Sequence, residues 1–130
     1  MDTSAYSQFK RGHPEAVSLV ESAAWIGLPS IVVGELLAGF LAGGQWARDR
    51  EELDLFLANP ALEEIPVDHE VAHLYAEIVA SLKAAGAPLP TSDSWIAAAA
   101  ARAGAPLLTF DEHFREVARV GTILLQADAG

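Results

Sequence analysis

The chain has 130 residues, 52% of them hydrophobic, and no cysteine. That length buries a core without disulfides or a structural metal, and zero cysteines exclude a disulfide framework and thiolate zinc sites while fitting a reducing, cytoplasmic setting. Eight Lys and Arg against eighteen Asp and Glu leave a net charge of −10, so a polyanionic substrate needs metal ions or a local cluster such as Lys10 with Arg11, or Arg115 with Arg119.

Taken in chain order, Trp25 to Pro29 predicts a short strand, followed by a helix from about Ile31 to Ala42 that Gly43 and Gly44 end. A polar helix from about Gln45 to Ala58 stops at Asn59 and Pro60. Glu64 to Val67 predicts a second strand. Asp68 then caps a helix whose stripe of Val71, Leu74, Tyr75, Ile78 and Leu82 follows the 3.6-residue period, and Gly86 closes it. The prolines of Gly86-Ala87-Pro88-Leu89-Pro90 dictate a loop. Thr91 or Ser92 is expected to cap a helix through about Ala103, with Gly104 as a left-handed stop and the small residues Ala97 to Ala101 permitting close packing against a sheet. Ala105 to Thr109 and Gly121 to Leu125 are further strands.

Strands alternating with helices predict an α/β fold: one domain over residues 1–130, in which helices cover both faces of a short parallel sheet in three α/β/α layers. The longest uninterrupted apolar run, Trp95 to Ala101, is far short of the roughly 18 residues of a membrane span, and the start carries no signal-peptide apolar region. Only Met1 precedes Asp2, so the first strand is expected to be truncated. Either several apolar residues belong upstream or the sheet has one strand fewer.

Four acids occupy short local contexts at element ends or on a helix: Asp2 in MDTS, Glu35 in VGELL, Asp93 in TSDSWIAAAA and Asp111 in LLTFDEHF. In open α/β sheets ligands bind beyond the carboxyl ends of the strands, where Asp111 and Asp2 are expected. Asp93 falls in the first turn of its helix, whose dipole favours an anion. Magnesium and manganese prefer oxygen donors, so three or four carboxylates suit one or two such ions, which activate water and neutralise a phosphodiester. Each acid also has a plainer reading. Asp2 can be a fraying terminus, Glu35 is offset about half a turn from the stripe Val33, Leu36, Leu37, Phe40 and Leu41, and Asp93 and Asp111 can serve only a helix dipole or a cap.

These segments resemble a VapC-type toxin of the PIN-domain ribonuclease family over nearly the whole chain. The start Asp2 to Glu15, DTSAYSQFKRGHPE, is similar to that family's opening, and Gly34-Glu35-Leu36-Leu37-Ala38-Gly39-Phe40 to its second acidic helix. Thr91-Ser92-Asp93-Ser94-Trp95-Ile96-Ala97-Ala98 and Leu107-Leu108-Thr109-Phe110-Asp111-Glu112-His113-Phe114 are its most specific motifs. The resemblance implies a Mg²⁺- or Mn²⁺-dependent endoribonuclease, the toxin of a type II toxin–antitoxin pair. Asp2, Glu35, Asp93 and Asp111 would hold metal and water, with Asp2 and Asp93 the strongest ligands. It further implies a structured RNA substrate such as transfer RNA, a cognate antitoxin whose arginine suits a cavity of carboxylates, and a homodimer. Two departures stand out: Ser92 replaces the family's asparagine, and the short first strand bears on how Asp2 is positioned. A catalytically impaired PIN-fold module that binds an antitoxin or its own copy is the alternative.

His69-Glu70-Val71-Ala72-His73 matches the zinc-protease pattern H-E-x-x-H, giving a remote zinc-hydrolase alternative through His69, Glu70 and His73. Ala76 and Val79 stand where the metzincin extension requires Gly and His, and both histidines fall opposite the apolar stripe, where they face solvent. Phosphoaspartate chemistry would need an aspartate pair and a placed lysine, which the start lacks. His13 and His113 fall in turn and capping contexts.

Overall fold

A computed structural model describes residues 1–127. The elements run α1 (Thr3–Lys10), α2 (Pro14–Ser22), β1 (Ile26–Pro29), α3 (Ser30–Gly43), α4 (Trp46–Leu57), β2 (Leu62–Ile65), α5 (His69–Ala84), α6 (Thr91–Ala103), β3 (Leu107–Thr109), a 3₁₀ turn (Glu112–Glu116) and β4 (Thr122–Leu124). Among the described residues no helix is long and apolar enough to cross a membrane.

The alternation of strand and helix gives the expected three-layer α/β/α arrangement, with α3 and α6 against β1 and α1 against β3. Its sheet is divided, whereas the sequence predicts one continuous sheet. β1 pairs in parallel with β2, and β3 in parallel with β4. The Met1–Asp2 segment bridges them: the Met1 amine donates to the Gly27 carbonyl at 2.7 Å, and the Asp2 N–H donates to the Leu108 carbonyl at 3.1 Å. The short start therefore lies between β1 and β3. Beside it an apolar cavity of about 300 Å³ is lined by Met1, Val20, Ile26, Leu107, Leu108 and Ile123, among others.

Several element ends follow local chemistry. Asp68 caps α5 by accepting from the Val71 N–H at 2.9 Å. Gly44 and Gly104, with φ of 85° and 65°, turn the chain out of α3 and α6 in the left-handed region that side chains avoid. The expected cap of α6 is not found: Pro90 holds the cap position without a side-chain bond, while Thr91 and Ser92 lie inside the first turn. The second strand begins two residues earlier than predicted, because its register sets Leu62 opposite Ile26 and Ile65 opposite Pro29, and Pro66 has no N–H to extend the ladder. Helices α1 and α2 were not anticipated. Asp2 and His13 start them, the latter accepting from the Ala16 N–H at 3.3 Å with Pro14 at the first helical position.

Val71, Ile78 and Leu82 are buried, as the stripe on α5 predicts, with Leu74 and Tyr75 half-buried. Burying each such large side chain contributes about 1.5–3 kcal/mol. Ala97 to Ala100 are buried too, so α6 lies close to α5 and β1. Tyr75 stacks on Trp95 with ring centroids 3.9 Å apart and planes 8° from parallel, locking α5 to α6 one turn beyond the acidic end of α6.

Candidate active site

Asp2 is no frayed terminus: its residue is 4% exposed and both carboxylate oxygens are engaged. Oδ1 caps α1 by accepting from the Ala5 N–H at 2.9 Å and also accepts from the Ser4 hydroxyl at 2.7 Å. Oδ2 accepts from the Thr109 hydroxyl at the end of β3. That hydroxyl oxygen in turn accepts from the Asp111 N–H at 2.9 Å, and the Ser4 hydroxyl oxygen accepts from the Phe110 N–H at 3.1 Å. A three-residue strand thus gains a rigid link to the first turn of α1.

Glu35 does not face water freely. Thr3 donates to its Oε1 at 2.6 Å and Ser92 to its Oε2 at 2.8 Å, so this carboxylate ties the starts of α1 and α6 to the middle of α3. Ser92 therefore serves Glu35 rather than capping α6. Asp111 caps the 3₁₀ turn through Oδ1, which accepts from the His113 N–H at 2.9 Å and contacts His113 Nδ1 at 2.7 Å. That contact, together with the Asp111 charge, holds the exposed His113 imidazole above its ordinary value.

Asp93, in the first turn of α6, brings the four together electrostatically. Partial burial raises its carboxyl above the usual aspartate value, and the charges of Asp111, Glu35 and Asp2 add to the rise, with His113 opposing. Four acids from four separate segments thus share one region, as their sequence contexts predict. They do not yet converge on a common point: among the described residues no three His, Cys, Asp or Glu side chains are clustered as a preformed metal site. Asp2 and Glu35 are each held toward their own hydroxyl donors. The oxygen-only donor set and the excess negative charge at Asp93 fit a hard divalent cation.

Sequence reasoning missed the four hydroxyls of Thr3, Ser4, Ser92 and Thr109. A signal was present, because Asp2, Asp93 and Asp111 each have a Ser or Thr within two positions. The remaining histidines have other roles. His13 Nε2 lies 2.8 Å from the Gln126 carbonyl oxygen, a structural contact, and His69 and His73 are exposed on α5 as predicted.

Short parallel strands between helices, with carboxylates near the starts of α1 and α6 and just past β3, match the fold of the PIN domain. The chain belongs to that family, whose model matches residues 1–120. It is similar to Ribonuclease VapC4 of Mycobacterium tuberculosis, 33% identical over 100 residues that span 76% of each chain. Its fold matches VapBC2 from Rickettsia felis, solved bound to a promoter DNA fragment, with a TM-score of 0.80 and 24% identity over 92% of each chain. VapBC-5 from Mycobacterium tuberculosis, a member of the VapBC family of toxin–antitoxin systems, matches with a TM-score of 0.64 and 28% identity, covering 75% of this chain and 79% of that one.

Proposed function

We propose that this chain is a Mg²⁺- or Mn²⁺-dependent endoribonuclease, the toxin of a type II toxin–antitoxin pair acting in the cytoplasm. The observation that carries the reading is that Asp2, Glu35 and Asp111 lie near enough to Asp93 for their charges to act on its carboxyl, an uncompensated negative region that suits a cation. Kinship with a protein named a ribonuclease, and with a member of a toxin–antitoxin family, supports the same assignment.

A bound divalent ion would supply Lewis acidity at the scissile phosphate and lower the pKa of a coordinated water. Asp2 and Asp93 would hold it, because Asp93 has the most to gain from a positive neighbour and Asp2 is already fixed on both oxygens. Glu35 and Asp111 would orient water and accept its proton, while Thr3, Ser92 and Thr109 hold Glu35 and Asp2 through their hydroxyls. Water would attack phosphorus as Glu35 or Asp111 takes its proton, the P–O bond to the leaving ribose oxygen would break, and that oxygen would gain the proton. Transfer RNA is the proposed substrate, an arginine-bearing antitoxin the proposed partner, and a homodimer the proposed assembly.

The alternative of an impaired binding module draws on the shortness of the strand before Asp2. Burial of Asp2 and its five hydrogen bonds speak for the nuclease instead. Cleavage of total transfer RNA with Mn²⁺, with and without chelator, beside Asp93→Asn tests the choice. Chelator-sensitive cutting lost in the variant is expected. Equal cutting by the variant would overturn the acidic-site mechanism, and Mn²⁺ binding without cutting of any RNA would favour the binding module.

A further inference from the structure

On α5, at the other end of the helix from its Gly86 stop, the side chains of His69 and His73 converge. Their Nε2 atoms are 3.2 Å apart, with ring centroids separated by 4.7 Å and planes at 80°. One helical turn separates the residues, and both rings stand in solvent on the side away from buried Val71 and Ile78. We propose that this pair is a second cation site, selective for imidazole-preferring transition ions such as Zn²⁺, Ni²⁺ or Cu²⁺ and separate from the carboxylate pocket.

Geometry and chemistry both lead there. A zinc ion bound at about 2.0–2.1 Å from each of two nitrogens 3.2 Å apart subtends an angle of about 100°, close to tetrahedral. The two Nε2 atoms already lie at a donor spacing that one ion can span, so chelation needs a ring reorientation and no movement of the helix. Each neutral imidazole can present an unprotonated Nε2 when its proton sits on Nδ1, which leaves both facing nitrogens available as donors to one cation. Magnesium and manganese prefer oxygen donors, so the two sites divide the ions by softness.

The surroundings define what the site does not do. Glu70, the base of the protease pattern, is paired with Arg102 at 2.8 Å, and Asp68 is used by the Val71 N–H. Among the described residues no third His, Cys, Asp or Glu joins the pair. The remaining coordination positions are therefore open to water, which makes this a binding site and not the zinc hydrolase that the sequence pattern alone suggests.

Calorimetric titration of the full chain with Ni²⁺, alongside His69→Gln, His73→Gln and Asp93→Asn, tests the assignment, with Cu²⁺-induced broadening of histidine ring signals to locate the ion. Either histidine variant is expected to weaken Ni²⁺ binding by about tenfold or more through loss of one of two donors, while Asp93→Asn retains it and the His69 and His73 signals broaden first. Binding is expected to weaken as the solution is acidified, because imidazole must be unprotonated to ligate a metal ion. Unchanged affinity in both histidine variants, or broadening that starts at His113, would overturn the proposal. Cutting of RNA by His73→Gln with Mn²⁺ is expected to match the parent, so the nuclease reading and this one fail independently.

Discussion

Thr109 donates its hydroxyl proton to Asp2 across 107 positions of sequence, and the same oxygen receives the Asp111 N–H at 2.9 Å. One fully buried hydroxyl thus aligns two of the four acids. Thr109→Val keeps the shape and removes both bonds, which is expected to cost about 1–3 kcal/mol for the polar groups left without a partner. Urea unfolding measures that loss, and Thr109→Ser should restore most of it. A variant as stable as the parent would show that Asp2 is held by its cap bonds alone.

Repulsion within the acidic pocket predicts how stability responds to metal and pH. The Asp93 carboxyl is raised in the folded state by burial and by Asp111, Glu35 and Asp2. A raised folded value means that its protonated form contributes stability at low pH, which is lost as pH rises through that value. Mn²⁺ relieves the repulsion only when Asp93 is ionised, so the rise in melting temperature with Mn²⁺ should grow as pH increases through the acid range. Asp93→Asn should melt higher than the parent without metal and show little further rise with it. A metal-induced shift that ignores pH would sink this account.

The Met1 amine makes an opposite demand on pH. Burial lowers it from 8.0 to about 6, partly opposed by the Asp2 charge. Because the folded value is the lower one, the unfolded chain binds more protons between pH 6 and 8. Stability is then fullest above that window and falls as pH drops through it. Joining further residues through this nitrogen turns the amine into an amide and should abolish the dependence. A Val-Ile extension should also raise stability above a Gly-Ser extension, since apolar side chains reach the cavity between β1 and β3. Equal unfolding midpoints for the two extensions would mean that the cavity does not take an extended strand.

His113 reports on Asp111. Its imidazole is raised first by the bond to the Asp111 carboxylate and then by that charge. Asp111→Asn is expected to return it toward the ordinary histidine value, readable by proton NMR titration. An unmoved titration would show that the pair does not form in solution.

By itself, the sequence determined most helices beyond residue 25, because those signals are local, and it singled out four acids whose charges the fold brings to bear on one another. The apolar period of α5, the Asp68 cap, the Gly44 and Gly104 stops and the alanine face of α6 each act within a few residues of themselves. Only the tertiary structure decided three other things. The two-residue start holds a place between β1 and β3 through bonds to Gly27 and Leu108, which no local pattern encodes. Ser92 left its expected capping role because Glu35, 57 positions away, offers its hydroxyl a charged acceptor. And the acids acquired their shared field only when four chain segments were packed together, since Coulomb interaction depends on distance in space and not on separation along the chain.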